Sequence, residues 1–362
     1  MRSSIKDVAR LAGVSPATVS YVINRVDSVK ISEGTRKRVV DAARKLGYQP
    51  NPAARSLKGK GTRTIGLVIP DVINPFFPEL IRGVQDVADS LEFNILLCNS
   101  DDEVAKEVRY FKMLRGRGID GIMFSGVDRP NEEEKEMVER LLQEGFPVVM
   151  VDRALEGVDA CSVTIDNFKG GYLGTAHLVE LGHKRIGIIT GPIKLRTNRE
   201  RVLGYRKALE DNGLSYDELL IRECHYKSGG AYHSMKELLA MKDPPTAVFA
   251  LGDFLAMGAM AALKEEDLQI PQDIALMGFD DIMLSQVTDP PLTTISQPKY
   301  DIGALGARML IDIIERRTVE KRHLVLSPSL VIRRSTTLGG DRGWRLPNLD
   351  RSTSSPSSLL ST

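Results

Sequence analysis

Seven short apolar runs punctuate the chain from Thr64 to Phe279: IGLVIP, NILLCN, GIMFSG, VVMVD, RIGIIT, AVFALG and IALMGF. Amphipathic helical patterns fill the intervals between them. Apolar runs that alternate with helices read as βαβ units, whose parallel strands must be covered on both faces. Residues 64–338 outrun the ~100–200 residues usual for one domain. A second series starts near Arg185, after the helix patterned by Leu173, Ala176, Leu178 and Leu181. The spacing therefore predicts two similar α/β lobes, each a doubly wound parallel sheet.

Charge separates the N-terminus from this body. The chain as a whole has a formal net charge of +1, but residues 1–63 hold 14 Lys+Arg against 4 Asp+Glu, and the remainder is net acidic. A basic end on an acidic body points to a nucleic-acid-binding module.

Helical spacing and caps are present in that basic end. Ile5, Val8, Ala9 and Ala12 recur on one helical face until Gly13 interrupts them. Ser15-Pro16 is a start signal, a hydroxyl cap followed by a residue with preset φ. Val19, Val22 and Ile23 carry an apolar face on to Asn24, and two short helices about a glycine turn describe a helix-turn-helix. Ser32 opens a third helix with Val39, Ala42, Ala43 and Leu46 inward, and Gly47 at its end. Residues 1–50 thus read as an all-α DNA-binding domain. Residues 51–63 form a hinge: Asn51 caps a short helix through Leu57 and Lys58, and Gly59-Lys60-Gly61-Thr62 reads as a flexible linker. The tail, 339–362, is rich in Gly, Ser and Pro and reads as disordered.

Several classes are excluded. No apolar stretch approaches the ~20 residues of a membrane span, and charges stand where a signal peptide would carry its apolar core, so a cytoplasmic location without membrane contact is expected. Cys98, Cys161 and Cys224 lie far apart with no C-x-x-C pair, which argues against disulfides and zinc. The five histidines lack metal spacing. A G-x-G-x-x-G at Gly116–Gly121 closes a helix instead of following a strand, so it reads as a helix end and turn. Neither a phosphate loop nor a G-x-S-x-G elbow occurs. No catalytic residue, metal or cofactor is expected, and the chain reads as something other than an enzyme.

IKDVARLAGVSPATVSYVIN, the NPAARSLK helix and the two α/β lobes together closely resemble the lactose/purine repressor family of bacterial transcription regulators, over residues 4–338. The resemblance implies a two-lobed effector domain of the periplasmic-binding-protein kind. It also makes Ser15–Asn24 the recognition helix in the major groove. Pro16, Ala17 and Tyr21 fall on base-reading positions, and Ala17 offers only apolar contact, as to a thymine methyl. Ser15, Thr18, Ser20 and Asn24 suit phosphate oxygens. In the hinge, Leu57 would wedge into the central minor-groove step, with Asn51, Arg55 and Lys58 nearby. A helix this short is marginal alone and would fold as two copies meet on DNA.

The resemblance extends to an effector set at the strand ends: Asn74, Phe76, Phe77, Asp152, Arg153, Arg201, Asp280 and Gln297, with Tyr226 able to stack on a ligand. Carboxylates, amides and guanidinium groups suit sugar hydroxyls, and aromatic rings suit C–H faces. Phe76 and Phe77 fit plain core equally well, and Asp152-Arg153 fits a structural ion pair. Gly252-Asp253 departs from the family's frequent Asn-Asp, which puts the identity of the sugar in doubt. The expected protein is a dimeric repressor on a pseudo-palindromic operator, controlled by a pentose or small hexose. A global carbon-catabolite regulator with a phosphocarrier protein as coeffector is the alternative.

Overall fold

The computed structural model describes residues 3–23, 29–48, 61–127, 131–225 and 229–337. Of the residues singled out above, Asn24, Asn51, Arg55, Leu57, Lys58 and Tyr226, together with the 339–362 tail, lie outside the described residues.

Three helices open the chain: α1 (Ile5–Ala12), α2 (Pro16–Ile23) and α3 (Glu33–Lys45). Their starts are built from side chains. Ser4 and Asp7 form a reciprocal capping box on α1. Ser15 Oγ accepts the Thr18 N–H at 3.1 Å, and the Ser32 side chain caps α3 through the Thr35 N–H. Gly13, at φ 64°, ends α1 in the left-handed region that favours glycine. Val8, Ala9, Ala12, Val19, Val22, Val39, Ala42 and Ala43 close a small core of their own.

All seven apolar runs form strands. β1 (Thr64–Ile69), β2 (Asn94–Asn99), β3 (Gly121–Phe124), β4 (Val148–Val151) and β5 (Cys161–Ile165) lie in one six-stranded sheet. β6 (Ile186–Thr190), β7 (Ile221–Glu223), β8 (Ala247–Ala250), β9 (Ala275–Asp280) and β10 (Thr293–Ser296) lie in a second. Two strands without a strong apolar signature, β11 (His323–Leu326) and β12 (Ser329–Val331), complete them. The orders are β11-β5-β4-β3-β1-β2 and β12-β10-β9-β8-β6-β7. Pairing from β5 through β2 and from β10 through β7 is parallel, while β12 joins β10 antiparallel.

The division between the sheets corrects the expectation of one lobe following the other. Unit 1 holds residues 77–164 and 299–325, and unit 2 holds 165–298 and 326 onward. Helix α7 (Asn167–Glu180), expected to close the first series, belongs to unit 2. There it packs against α8 (Arg196–Asp211) so tightly that a Cβ on Gly171 would lie 2.0 Å from the Arg201 carbonyl. Helix α11 (Lys299–Ile314) returns to unit 1 against α4 (Phe77–Ser90), where a Cβ on Gly83 would lie 2.1 Å from the Tyr300 carbonyl. Periodicity along the chain reports which face of a helix is apolar. Which sheet that face covers is fixed by glycine-to-backbone contacts far apart in sequence.

A second difference concerns the linker. Gly61 and Thr62 are held: Asp120 Oδ1 accepts the Thr62 N–H at 2.8 Å, and Asp120 Oδ2 accepts that of Thr64 at 3.3 Å. Asp120 belongs to the G-x-G-x-x-G segment, which does end a helix and turn into β3, with Gly118 at φ 73°.

Candidate functional site

On α2, Val19 and Val22 face inward, while Pro16, Ala17 and Tyr21 are exposed. The base-reading candidates therefore share an open helical face. Ser15 and Thr18 spend part of their capacity on each other, with their hydroxyls 2.9 Å apart.

The effector candidates fall into one group in each unit. In unit 1 the strands are parallel, so the residues that follow them collect at the same sheet edge, where ligands bind in such folds. Asp102 follows β2, Ser125 and Gly126 follow β3, and Asp152 and Arg153 follow β4. Arg153 is buried, and its Nη1 lies 3.0 Å from Asp102 Oδ1, with Nε 3.8 Å from Asp152 Oδ2. Its principal ionic partner is thus Asp102, which the sequence reading did not include. Ser125 Oγ donates to Asp152 Oδ2 at 3.1 Å, and Asp152 adopts φ 59°. Phe77 begins α4 and is buried, as is Phe76. Asn74 Oδ1 accepts the Phe76 N–H at 3.0 Å and so shapes the turn before that helix.

In unit 2 the group is tighter. Arg201, on α8, is 5% exposed, so the solvated-helix alternative fails. Its Nε donates to Asn167 Oδ1 at 2.8 Å, and its Nη1 to the Leu251 carbonyl at 2.9 Å. Its guanidinium lies 3.7 Å from the Phe279 ring centroid, and Phe279 stacks on Phe249. A buried cation needs such partners, and an aromatic face supplies attraction without consuming N–H donors. The residue after Phe279, Asp280, accepts from Gln297 Nε2 at 2.6 Å. Gln297 is almost wholly buried, and its Oε1 has no partner. A buried amide oxygen left unpaired costs about 1–3 kcal/mol, a cost that a hydroxyl donor would remove.

Two residues of this group were not seen in the sequence as contributors. Asn167 orients Arg201 from 34 positions away, a pairing that no local pattern carries. Asp253, beside the departure at Gly252, is fully buried. Its carboxylate accepts from Thr294 Oγ1 at 2.6 Å and from the Ile282 N–H at 2.9 Å. Burial, and then the nearby Asp280, push its pKa well above the usual carboxylate range. With both oxygens occupied by the protein, Asp253 braces the segment after β9. Gly278 leaves it room, since a Cβ there would lie 2.1 Å from Asp253 Oδ1. Asp281 is engaged by Arg333 Nη2 at 2.6 Å.

Among the described residues, no three His, Cys, Asp or Glu side chains group as a metal site. None of their helices is long and apolar enough to cross a membrane. His177 and His183 bond to Thr336 and Thr246.

Comparisons with known proteins agree with this architecture. Residues 4–51 match the family of bacterial regulatory proteins, lacI family, and residues 175–336 match a periplasmic binding protein-like domain. The HTH-type transcriptional regulator RegA of Clostridium saccharobutylicum is 38% identical over 93% of this chain and 100% of its own length. The lac repressor dimer bound to operator and the anti-inducer ONPF superposes with a TM-score of 0.83 at 28% identity, covering 93% of this chain and 99% of that one. A LacI family transcriptional regulator from Enterococcus faecium with bound ribose gives 0.68 at 31% identity, over 75% of this chain and 98% of that one. These relatives are regulators and not enzymes. The chain belongs to the lacI family and is a DNA-binding transcriptional regulator with a helix-turn-helix and a two-lobed α/β domain.

Proposed function

We propose that this regulator is a cytoplasmic repressor, acting as a dimer on a pseudo-palindromic operator, whose affinity for DNA is set by a small neutral sugar, a pentose or small hexose. The observation that carries the effector reading is the unit 2 group. Arg201 is buried and oriented with N–H donors to spare, beside the unpaired Gln297 Oε1. Donors and acceptors fixed in a largely apolar setting suit adjacent hydroxyls. The Arg153 group of unit 1 offers the same chemistry, and a ribose-bound relative supports it. Burial of both arginines favours a small molecule over a docked phosphocarrier protein. For the sugar to change operator occupancy it must bind the DNA-competent and the released states with different affinity.

The dimer reading rests on apolar surface in each unit. Leu96 and Leu97 are exposed on β2, an edge strand, and Met283 and Val287 are exposed after β9. Edge strands with exposed apolar side chains favour pairing with another chain. A Leu97→Lys variant that sediments as the wild type does would count against that edge as the interface.

A thermal-shift screen of pentoses and hexoses, repeated with Arg201→Ala and Arg153→Ala, tests the effector site. The expected result is stabilisation by at least one neutral sugar, lost in both variants. A sugar that stabilises both variants as well as it does the wild type would overturn the site. For the hinge, Leu57→Ala should weaken operator binding and reduce the DNA bend in a gel-shift assay; unchanged affinity and bend would refute the wedge.

A further inference from the structure

We propose that Glu107 and Glu134, buried behind Arg153 in unit 1, share one proton and together position that guanidinium, so that sugar affinity falls when the proton is lost. The proposal rests on the reading of Arg153 as an effector contact.

Glu107 lies on α5 (Val104–Gly116) and Glu134 on α6 (Glu132–Gln143). Both side chains are completely buried. Such residues are almost never buried unless paired, yet among the described residues no donor meets any of their four carboxyl oxygens. Instead the two carboxyls meet each other. A carboxylate has no proton to donate, so contact between two of them is favourable only when one is protonated. The proton then belongs to the pair, as in any closely spaced carboxyl dyad.

The surroundings reinforce this. The charged groups facing the pair are Arg153, which follows β4, and Asp102, which follows β2. Asp152 lies on the far side of the guanidinium. Burial raises the pKa of both glutamates above the ordinary range, and for Glu107 the charge of Glu134 adds to it. Arg153 is thus the one cation among four carboxyl groups. With the proton in place, Asp102, at 3.0 Å, is its dominant partner, and its remaining N–H donors are available to a ligand. Without the proton, a doubly charged pair lies behind the guanidinium and competes with ligand oxygens for those donors. Effector affinity should therefore fall as pH rises through the titration, by up to about tenfold per pH unit for one linked proton.

The full-length protein permits three measurements, two of which need no ligand. Infrared spectroscopy should show a protonated-carboxyl C=O band at about neutral pH, diminished in both Glu107→Gln and Glu134→Gln. Unfolding should show the linkage with a definite sign. A carboxyl whose pKa is raised in the folded state holds more protons folded than unfolded, so the wild type loses stability as pH climbs through the raised value. Gln does not titrate, so each variant should gain in unfolding midpoint relative to the wild type between about pH 5 and about pH 8. Absence of the band, or variant and wild-type midpoints that run parallel with pH, would overturn the shared proton. In the third measurement, calorimetric titration with D-ribose should give an affinity that weakens with rising pH in the wild type and stays flat in both variants. Equal slopes would overturn the link to Arg153. No ribose binding by the wild type at any pH would instead sink the ribose reading and its linkage, while the band and the midpoints still decide the shared proton.

Discussion

Arg201 reaches its position through contacts distributed along unit 2. Asn167 sets its plane, Phe279 covers one face and the Leu251 carbonyl holds one end. Losing Asn167 would release the guanidinium without removing its charge. Asn167→Ala should therefore weaken binding of whichever neutral sugar stabilises the wild type by about tenfold, the worth of one charge-assisted hydrogen bond. Calorimetric titration decides this, and an unchanged affinity would mean that the ring face alone suffices. Arg201 and Gln297 could be picked out in the sequence because each follows a recognisable segment. Asn167, Asp102 and the Glu107–Glu134 pair could not. Their roles exist only through partners tens of residues away, and a buried glutamate in a helix reads like any solvated one.

At the scale of elements, glycines separate packing from propensity. Gly83 lies where a Cβ would meet the Tyr300 backbone, whereas Gly34, in α3, has open space around it. Gly83→Ala should destabilise the protein by about 1–3 kcal/mol through overpacking. Gly34→Ala should stabilise the helical domain by about 0.5–1 kcal/mol, because alanine loses less backbone freedom on folding. Urea unfolding of the two variants tests both signs. The segment entering β1 makes a related point. Glycine-rich composition predicts mobility there, yet the Asp120 carboxylate captures two backbone N–H groups of that segment. Asp120→Ala should accelerate hydrogen exchange at Thr62 and Thr64, and unchanged exchange would show that the anchor lies elsewhere.

Across the whole molecule, two features govern behaviour: the segregated charge and the interleaved chain. With 14 Lys+Arg against 4 Asp+Glu in residues 1–63, operator binding should weaken steeply with salt. The log-log slope should be near −0.9 for each phosphate contact neutralised. A salt-independent affinity in a filter-binding titration would contradict the basic end as the DNA-binding surface. The interleaving follows from three crossings, at residues 164–165, 298–299 and 325–326.

The sequence by itself determined the three capped helices, the seven apolar strands and the open face of α2, because caps, turns and hydrophobic periods act over a few residues. Only the tertiary structure decided which sheet each helix covers and where the last two strands pair. It also decided which carboxyl group meets which arginine. Those outcomes depend on close approach between residues distant along the chain, and burial changes the energy of a charge in ways that no local pattern records.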